Sequence, residues 1–185
     1  MPIKGQRSTN PHSGDAYEFL ETAKDTNGRF VKLKATIYSK GQLVPRHFHV
    51  YQDETFEVVS GQLTVLLNGE KKQLSAGEKI TLPKNKPHNH YNDEDVPVVY
   101  LHTVTPALDF DYLIENLAGL GADGKGKNGK FGLMQELVTL RYLDSKSFLA
   151  DIPVPVQKLL MYTVAPLGRL FGYRAIYKKY SGVEK

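Results

Sequence analysis

The sequence predicts a mainly β protein, an antiparallel barrel or sandwich followed by a helical segment. Between residues 30 and 105, β-branched and aromatic residues alternate with polar ones, and Ser-Gly, Asn-Gly and Ala-Gly turn signals recur at short intervals. Many short strands with close turns and no helix between them are typical of antiparallel barrels and sandwiches. After Pro106 the apolar spacing changes to that of helices. We therefore expect a barrel in residues 1–105 and a helical extension in residues 106–185.

The strands are located by period-two alternation. In the first, Val31, Leu33 and Ile37 lie on one face and Lys32 and Lys34 on the other, as in a half-buried strand. The strands expected in this way are residues 30–38, 43–49, 54–60, 63–68, 71–75, 78–83 and 96–105, and a further strand is expected to begin at His88. Side chains two residues apart in any of these strands share a face.

Three helical segments are expected after the barrel, at residues 109–121, residues 131–143 and from Pro155 onward, with a kink or break at Pro166. The last segment carries an apolar stripe, which could cover the barrel, form a dimer contact or lie on a membrane surface. Core or interface packing is the preferred interpretation. A homodimer is expected by analogy with proteins of the same architecture.

Composition excludes several classes of protein. The hydrophobic content of 41% and charged content of 24% are ordinary for a soluble chain. A net charge of +4 is too small to indicate a nucleic-acid partner. The chain has no cysteine, which excludes disulfides and thiolate metal sites. No apolar signal region or membrane-spanning stretch is present in the sequence, so a cytoplasmic protein is expected.

A glycine-rich segment, residues 119–130, offers two nucleotide-binding motifs that we reject. Gly124, Gly126 and Gly129 fit one pattern, and the stretch from Gly119 to Lys125 fits the phosphate-binding loop. Both motifs require a preceding strand, whereas a helix is expected here, and position 126 lacks the hydroxyl that would hold Mg²⁺. A solvated loop is the better interpretation.

Five of the six histidines fall between positions 47 and 102. His47 and His49 are two residues apart on one expected strand, so both imidazoles point to the same face. On the next strand, parity places Glu54 with Phe56 and Val58 on the inner face. A lone inward carboxylate is costly unless it is paired or bound to a metal. The neighbouring histidines supply that reason.

A second histidine pair follows a stiff connection that contains Pro83 and Pro87. His88 starts a strand, and His90 lies two residues later on the same face. One such pair alone is often structural, but two pairs with an inward carboxylate indicate a metal site. Three imidazoles and one carboxylate suit one divalent transition metal, namely Fe, Mn, Co, Ni, Cu or Zn. Four protein ligands leave open positions for water, substrate or O₂.

The spacings resemble the two cupin motifs. The matching residues are Gly41, His47, His49, Glu54 and Gly61 in the first motif and Gly77, Pro83, His88 and Asn92 in the second. The one departure is Asn85, which stands where cupins usually have glycine; asparagine also adopts positive φ, so the turn is expected to be kept. Residues 10–28 and 166–182 resemble the flanks of one group of bacterial single-domain cupins.

The resemblance implies a small antiparallel cupin β-barrel, or jelly roll, with His47, His49, Glu54 and His88 as metal ligands and a pocket for a small organic molecule. A redox-active ion would permit dioxygenase chemistry similar to that of quercetinase-type cupins, with Glu54 or His90 as the catalytic group that handles a proton. A redox-inert ion would act as a Lewis acid in isomerisation or hydrolysis. The alternatives are a non-catalytic binding or sensing module and an interaction protein that works through its helices. His90 and His102 are otherwise expected to be hydrogen-bonded core or rim histidines.

Overall fold

The structure, a computed structural model, describes residues 2–41, 45–126 and 131–185. The start of the strand expected at residues 43–49 and the last four residues of the glycine-rich segment, 127–130, lie outside the described residues.

Eleven strands form two antiparallel sheets across this part of the chain, which confirms the mainly β prediction. The strands are β1 (Arg7–Thr9), β2 (Ala16–Glu21), β3 (Val31–Ile37), β4 (His47–His49), β5 (Asp53–Ser60), β6 (Gln62–Leu67), β7 (Glu70–Ser75), β8 (Lys79–Leu82), β9 (His88–Tyr91), β10 (Val98–Thr105) and β11 (Ser147–Leu149). The first sheet has the order β1-β2-β3-β10-β5-β8, and the second has the order β11-β4-β9-β6-β7.

The two sheets share one apolar core. Its buried side chains come from both sheets, among them Phe56 and Val58 of β5 and Leu63 and Val65 of β6. On β5 the residues from Asp53 onward alternate between partly exposed and buried, as the sequence alternation predicts. The inner face of β5 therefore carries Glu54 into the space between the sheets.

In residues 106–126 and 131–185 five helices follow the barrel strands: α1 (Phe110–Ala122), α2 (Leu133–Tyr142), α3 (Val154–Thr163), α4 (Ala165–Leu170) and α5 (Lys178–Ser181). The first two agree with the predicted segments to within about two residues, the normal uncertainty of helix ends. The expected break is also present, since α3 ends before Val164 and Pro166 lies in the first turn of α4. Proline is tolerated at that position because no helical N–H bond is lost.

The segment after residue 106 also contributes a strand that the sequence analysis did not expect. In β11, Ser147 pairs with His49 and Leu149 with His47, so this short strand borders the strand that carries both histidines. The buried Gln157 of α3 fastens β11 from the other side. Its side-chain amide accepts a hydrogen bond from the Leu149 N–H at 3.0 Å and donates to the Leu149 carbonyl at 2.9 Å.

We expect Gln157→Leu to lower the free energy of unfolding by about 2 kcal/mol, because it leaves two partly buried backbone groups of Leu149 without their partner. Urea denaturation measures this loss. The control is Gln73→Leu, the same change at an exposed position of β7, which should be nearly neutral. Equal effects at the two positions would contradict a clamping role for Gln157.

None of the helices in the described residues has the length and apolar character needed to cross a bilayer.

Candidate metal site

Four side chains converge between the two sheets. His47 and His49 come from β4, Glu54 from β5 and His88 from β9, and one nitrogen or oxygen atom of each lies within 4.8 Å of those of the others. The structure thus brings together the four residues that the sequence analysis predicted as ligands. The group could hold a metal ion.

Strand register explains how the chain assembles this cluster. His47 pairs directly with His88 across β4 and β9, while Glu54 reaches them from the opposite sheet. The loop before His88 is fastened to β4, because the Asn85 N–H donates to the His49 carbonyl at 2.8 Å. Asn85 adopts a φ of 61°, so asparagine keeps the left-handed turn expected at this position.

Two of the imidazoles are oriented by backbone carbonyls. His47 Nδ1 lies 2.8 Å from the Pro45 oxygen, and His88 Nδ1 lies 2.8 Å from the Lys86 oxygen. A carbonyl can only accept a hydrogen bond, so each Nδ1 carries the proton. Each Nε2 then presents a lone pair to the cluster, which is the tautomer that metal-binding histidines use.

The cluster contains buried atoms whose hydrogen-bonding capacity is not used. His88 Nε2 and Glu54 Oε2 are 2.8 Å apart but are not aligned for a hydrogen bond, and neither has another hydrogen-bond partner in the described residues. His47 Nε2 and His49 Nε2 approach to 3.2 Å, and His49 Nε2 lies 3.5 Å from Glu54 Oε1. Unsatisfied buried polar atoms are costly. A cation shared by these lone pairs would satisfy them, so the donor set fits a divalent transition metal.

The electrostatics of the site favour the protonation states that a metal requires. Burial by itself would raise the pKa of Glu54, but the His49 and His102 imidazoles outweigh it and hold that pKa well below 4.5. Burial, with His49 nearby, lowers the pKa of His47 to about 4. At neutral pH Glu54 is therefore ionised and His47 neutral, as metal binding demands.

His102 supports the cluster from outside it. Its Nε2 donates to Glu54 Oε1 at 2.9 Å, and its ring stacks on Phe56 with centroids 4.3 Å apart. The sequence predicts a hydrogen-bonded core or rim histidine at position 102, and His102 is buried and bonded to Glu54, a partner that the sequence does not identify. The contact between His102 and Glu54 depends on the pairing of β10 with β5, which places His102 opposite Phe56 and beside Glu54.

His90 lies inside the barrel but outside the four-residue cluster. Its ring contacts Phe56 and Tyr100, with centroid distances of 4.5 and 5.9 Å. Burial lowers the pKa of His90 to about 3, so the imidazole is neutral at physiological pH. Together with Tyr17, Asn92 and Tyr100 it lines a cavity of about 50 Å³.

Three residues near the cluster have structural roles. Arg46 forms an exposed ion pair with Asp151. Phe48 packs against Phe148 with ring centroids 5.9 Å apart. Phe110, at the start of α1, lies 6.2 Å from His49 and 5.5 Å from His102 between ring centroids, and it closes the apolar wall around the cluster.

The segment that contains the four candidate ligands also matches a known protein family. Residues 36–104 match the cupin domain family. The chain is 30% identical over 77 residues to quercetin 2,3-dioxygenase from Bacillus subtilis (strain 168), a match that covers 42% of this chain and 23% of that protein. It is 27% identical over 66 residues to the tetracenomycin polyketide synthase protein TcmJ of Streptomyces glaucescens, which covers 36% and 44%. The chain thus spans less than half the length of these two curated relatives.

A solved structure with a similar fold is KdgF from Halomonas sp. Its sequence identity to this chain is 22%, its TM-score is 0.46, and the superposed region covers 52% of this chain and 83% of KdgF.

Proposed function

Since the chain belongs to the cupin superfamily through residues 36–104, we propose that it is a metal-dependent oxidoreductase, of the dioxygenase type, that acts on a small organic molecule. The metal ligands in this proposal are His47, His49, Glu54 and His88. The observation that carries it is the convergence of their buried lone pairs, two of which have no hydrogen-bond partner in the described residues.

Contacts within the chain preorganise the site for an ion. The carbonyls of Pro45 and Lys86 fix the His47 and His88 rings, which removes part of the entropic cost of ligation. His102 occupies Glu54 Oε1 and leaves Oε2 for the ion. A bound redox-active ion such as Fe²⁺ would supply open positions for O₂ and substrate, together with Lewis acidity.

Proton handling belongs to Glu54 in this proposal. Its carboxylate is the acidic group among the four proposed ligands, so it would be the nearest acceptor for a proton that a substrate bound beside the cluster releases. His90 is the less suitable base, because it lies outside the cluster. Its role is to line the cavity beside Tyr17 and Tyr100.

The substrate class is inferred from one relative. The likeness to a quercetin 2,3-dioxygenase supports oxygen-dependent chemistry on a phenolic compound. The cavity of about 50 Å³ beside His90 is lined by none of the four proposed ligands, so its volume does not set the size of a substrate at the cluster. The second candidate function is a binding or sensing module for a small molecule, with this cavity as the binding site.

The test combines elemental analysis of protein purified without added metal with O₂ uptake on small phenols and 1,3-diketones. We expect a near-stoichiometric redox-active metal and substrate-dependent O₂ consumption that a chelator abolishes. Zinc, or a metal without O₂ uptake, would support Lewis-acid isomerisation or hydrolysis instead. Ligand binding that persists after chelation would support the binding module. Absence of metal even after reconstitution would contradict the proposal.

Two further expectations accompany this proposal. We expect the protein to be cytoplasmic and to form a homodimer, and sedimentation velocity measures the second of these.

A further inference from the structure

The outer surface of α3 and α4 exposes large apolar side chains. We call them the C-terminal apolar face: Val156, Leu159, Tyr162, Leu167, Leu170 and Phe171. Leu170 is 82% exposed and Phe171 78%. Scattered exposed apolar residues are normal, but neighbouring ones on a single layer mark an interaction surface.

Packing on the opposite side of α3 and α4 fixes the orientation of the C-terminal apolar face. The opposite surfaces of α3 and α4 bury Met161 and Ala165 in a core shared with α2. Gly168 of α4 lies so close to α2 that a Cβ there would stand 2.7 Å from the Met134 sulfur and from a Val138 methyl carbon. Because this packing fixes which surface of α4 points inward, Leu167 and Leu170 are held outward.

The segment that carries this face is basic. Residues 152–183 contain no acidic residue and five basic ones, Lys158, Arg169, Arg174, Lys178 and Lys179. This segment therefore carries more positive charge than the whole chain, whose net charge is +4. Arg174 and Lys179 pair with Glu184 and Asp123. In the part of the chain that the structure describes, Lys158 and Arg169 form no ion pair.

Two arginine side chains lie over aromatic rings, one exposed (Tyr162) and one partly buried (Tyr142). The Arg141 guanidinium lies 4.6 Å from the centroid of the Tyr162 ring, and the Arg169 guanidinium lies 4.7 Å from that of Tyr142. Cations held against aromatic rings next to exposed leucine and phenylalanine form the pattern of an interfacial helix. The apolar groups of such a helix enter the boundary of the lipid chains while its cations contact anionic headgroups.

We propose that the C-terminal apolar face binds the surface of an anionic phospholipid bilayer, with Leu170 and Phe171 inserted and Arg169 and Lys158 at the headgroups. This is peripheral binding, and it places the barrel beside a membrane without spanning it. A second copy of the chain is a poorer occupant of this face, so the homodimer expected above would form through another surface. A two-fold contact would bring the same unpaired cations of both copies together, with no acidic residue in residues 152–183 to offset them.

Flotation of the full chain with lipid vesicles tests the proposal. We expect it to float with phosphatidylcholine vesicles that contain roughly one third phosphatidylglycerol, and to remain unbound with pure phosphatidylcholine. Binding should weaken as salt is raised above about 0.1 M. Arg169→Glu should lower the partition coefficient by about tenfold or more, since it removes a cation and adds an anion.

Matched variants separate membrane insertion from general effects. The double variant Leu170→Ser, Phe171→Ser should lose binding. Val59→Ser, Val96→Ser, which changes two exposed apolar residues of the barrel, and Lys34→Glu should leave it unchanged. Urea denaturation establishes that each variant is folded. The proposal fails if anionic vesicles are not bound, if both lipids bind equally, or if the double variant still floats. It also fails if a stable dimer, broken by the double variant, occupies the face instead.

Discussion

His49→Ala is expected to abolish stoichiometric metal binding while the barrel remains folded. His49 is buried, and its Nε2 lies within 3.5 Å of both His47 Nε2 and Glu54 Oε1, at the centre of the cluster. Loss of a supporting residue outside the ligands costs about 10- to 100-fold in metal affinity, so loss of a ligand should cost more than about 100-fold. Elemental analysis after dialysis and calorimetric titration with Zn²⁺ or Mn²⁺ measure the change.

Two other histidine variants serve as references for the loss of metal binding in His49→Ala. His90→Ala removes an inward imidazole on β9 that lies outside the cluster, so metal content should be unchanged. His102→Ala removes the hydrogen bond to Glu54 Oε1 but no ligand, and an intermediate loss of about 10- to 100-fold is expected. Unchanged metal content in His49→Ala would show that the proposed ligand set is wrong.

Thermal unfolding gives a second measurement of the same point. A metal that binds only the folded chain raises the free energy of unfolding by RT ln(1 + [metal]/Kd), and the unfolding temperature rises with it. Added metal should therefore stabilise the unaltered protein and His90→Ala, but not His49→Ala. If the metal stabilises His49→Ala as strongly as the unaltered chain, the ion binds elsewhere.

Strand parity explains part of the prediction of the candidate cluster, whereas the choice of His88 over His90, which share a face, came from the resemblance to the cupin motifs. The side-chain period of a strand is two, so the spacing of His47 and His49 fixes a common face without knowledge of the fold. Parity also placed Glu54 with Phe56 and Val58 on the buried face of β5, as found. Spacing alone could not supply the partner of His102, because that contact depends on which strands are neighbours.

Three strands, β1, β2 and β11, were not among those predicted, and for β2 and β11 the physical reason is clear. In β2 the pairing register shifts between Phe19 and Glu21, so the buried Ala16 and Phe19 are three residues apart and the period-two pattern is broken. The three residues of β11 are too few for a periodic pattern, and only Phe148 among them is buried. Their strand conformation comes from pairing with β4 and from Gln157.

The C-terminal apolar stripe was predicted as one helical surface, but the structure divides it. Leu160 and Val164 pack against the core, whereas Leu159, Leu167 and Phe171 face outward. The break at Val164 starts a new helix, and the shared periodicity ends there. Hydrophobic spacing identified which residues are helical, but it could not identify which of them remain uncovered.

The second large effect concerns stability. Gly61→Ala is expected to lower the free energy of unfolding by about 3 kcal/mol or more. Gly61 has a φ of 76°, which costs a residue with a side chain about 1–2 kcal/mol. A Cβ at this position would also stand 2.6 Å from the Pro97 oxygen, and since that neighbour is backbone it can move only by displacing the start of β10. Overpacking of this kind adds about 1–3 kcal/mol.

Gly69→Ala separates the two contributions. Gly69 has a φ of 90°, but nothing lies within 4 Å of a Cβ built there, so only the conformational cost applies. Urea denaturation should show a loss of about 1–2 kcal/mol for Gly69→Ala and a clearly larger one for Gly61→Ala. Equal losses would contradict the close approach.

Gly61 is the single residue between β5 of one sheet and β6 of the other. A glycine is therefore required where the chain passes between sheets against Pro97, and this turn helps hold the strand that carries Glu54.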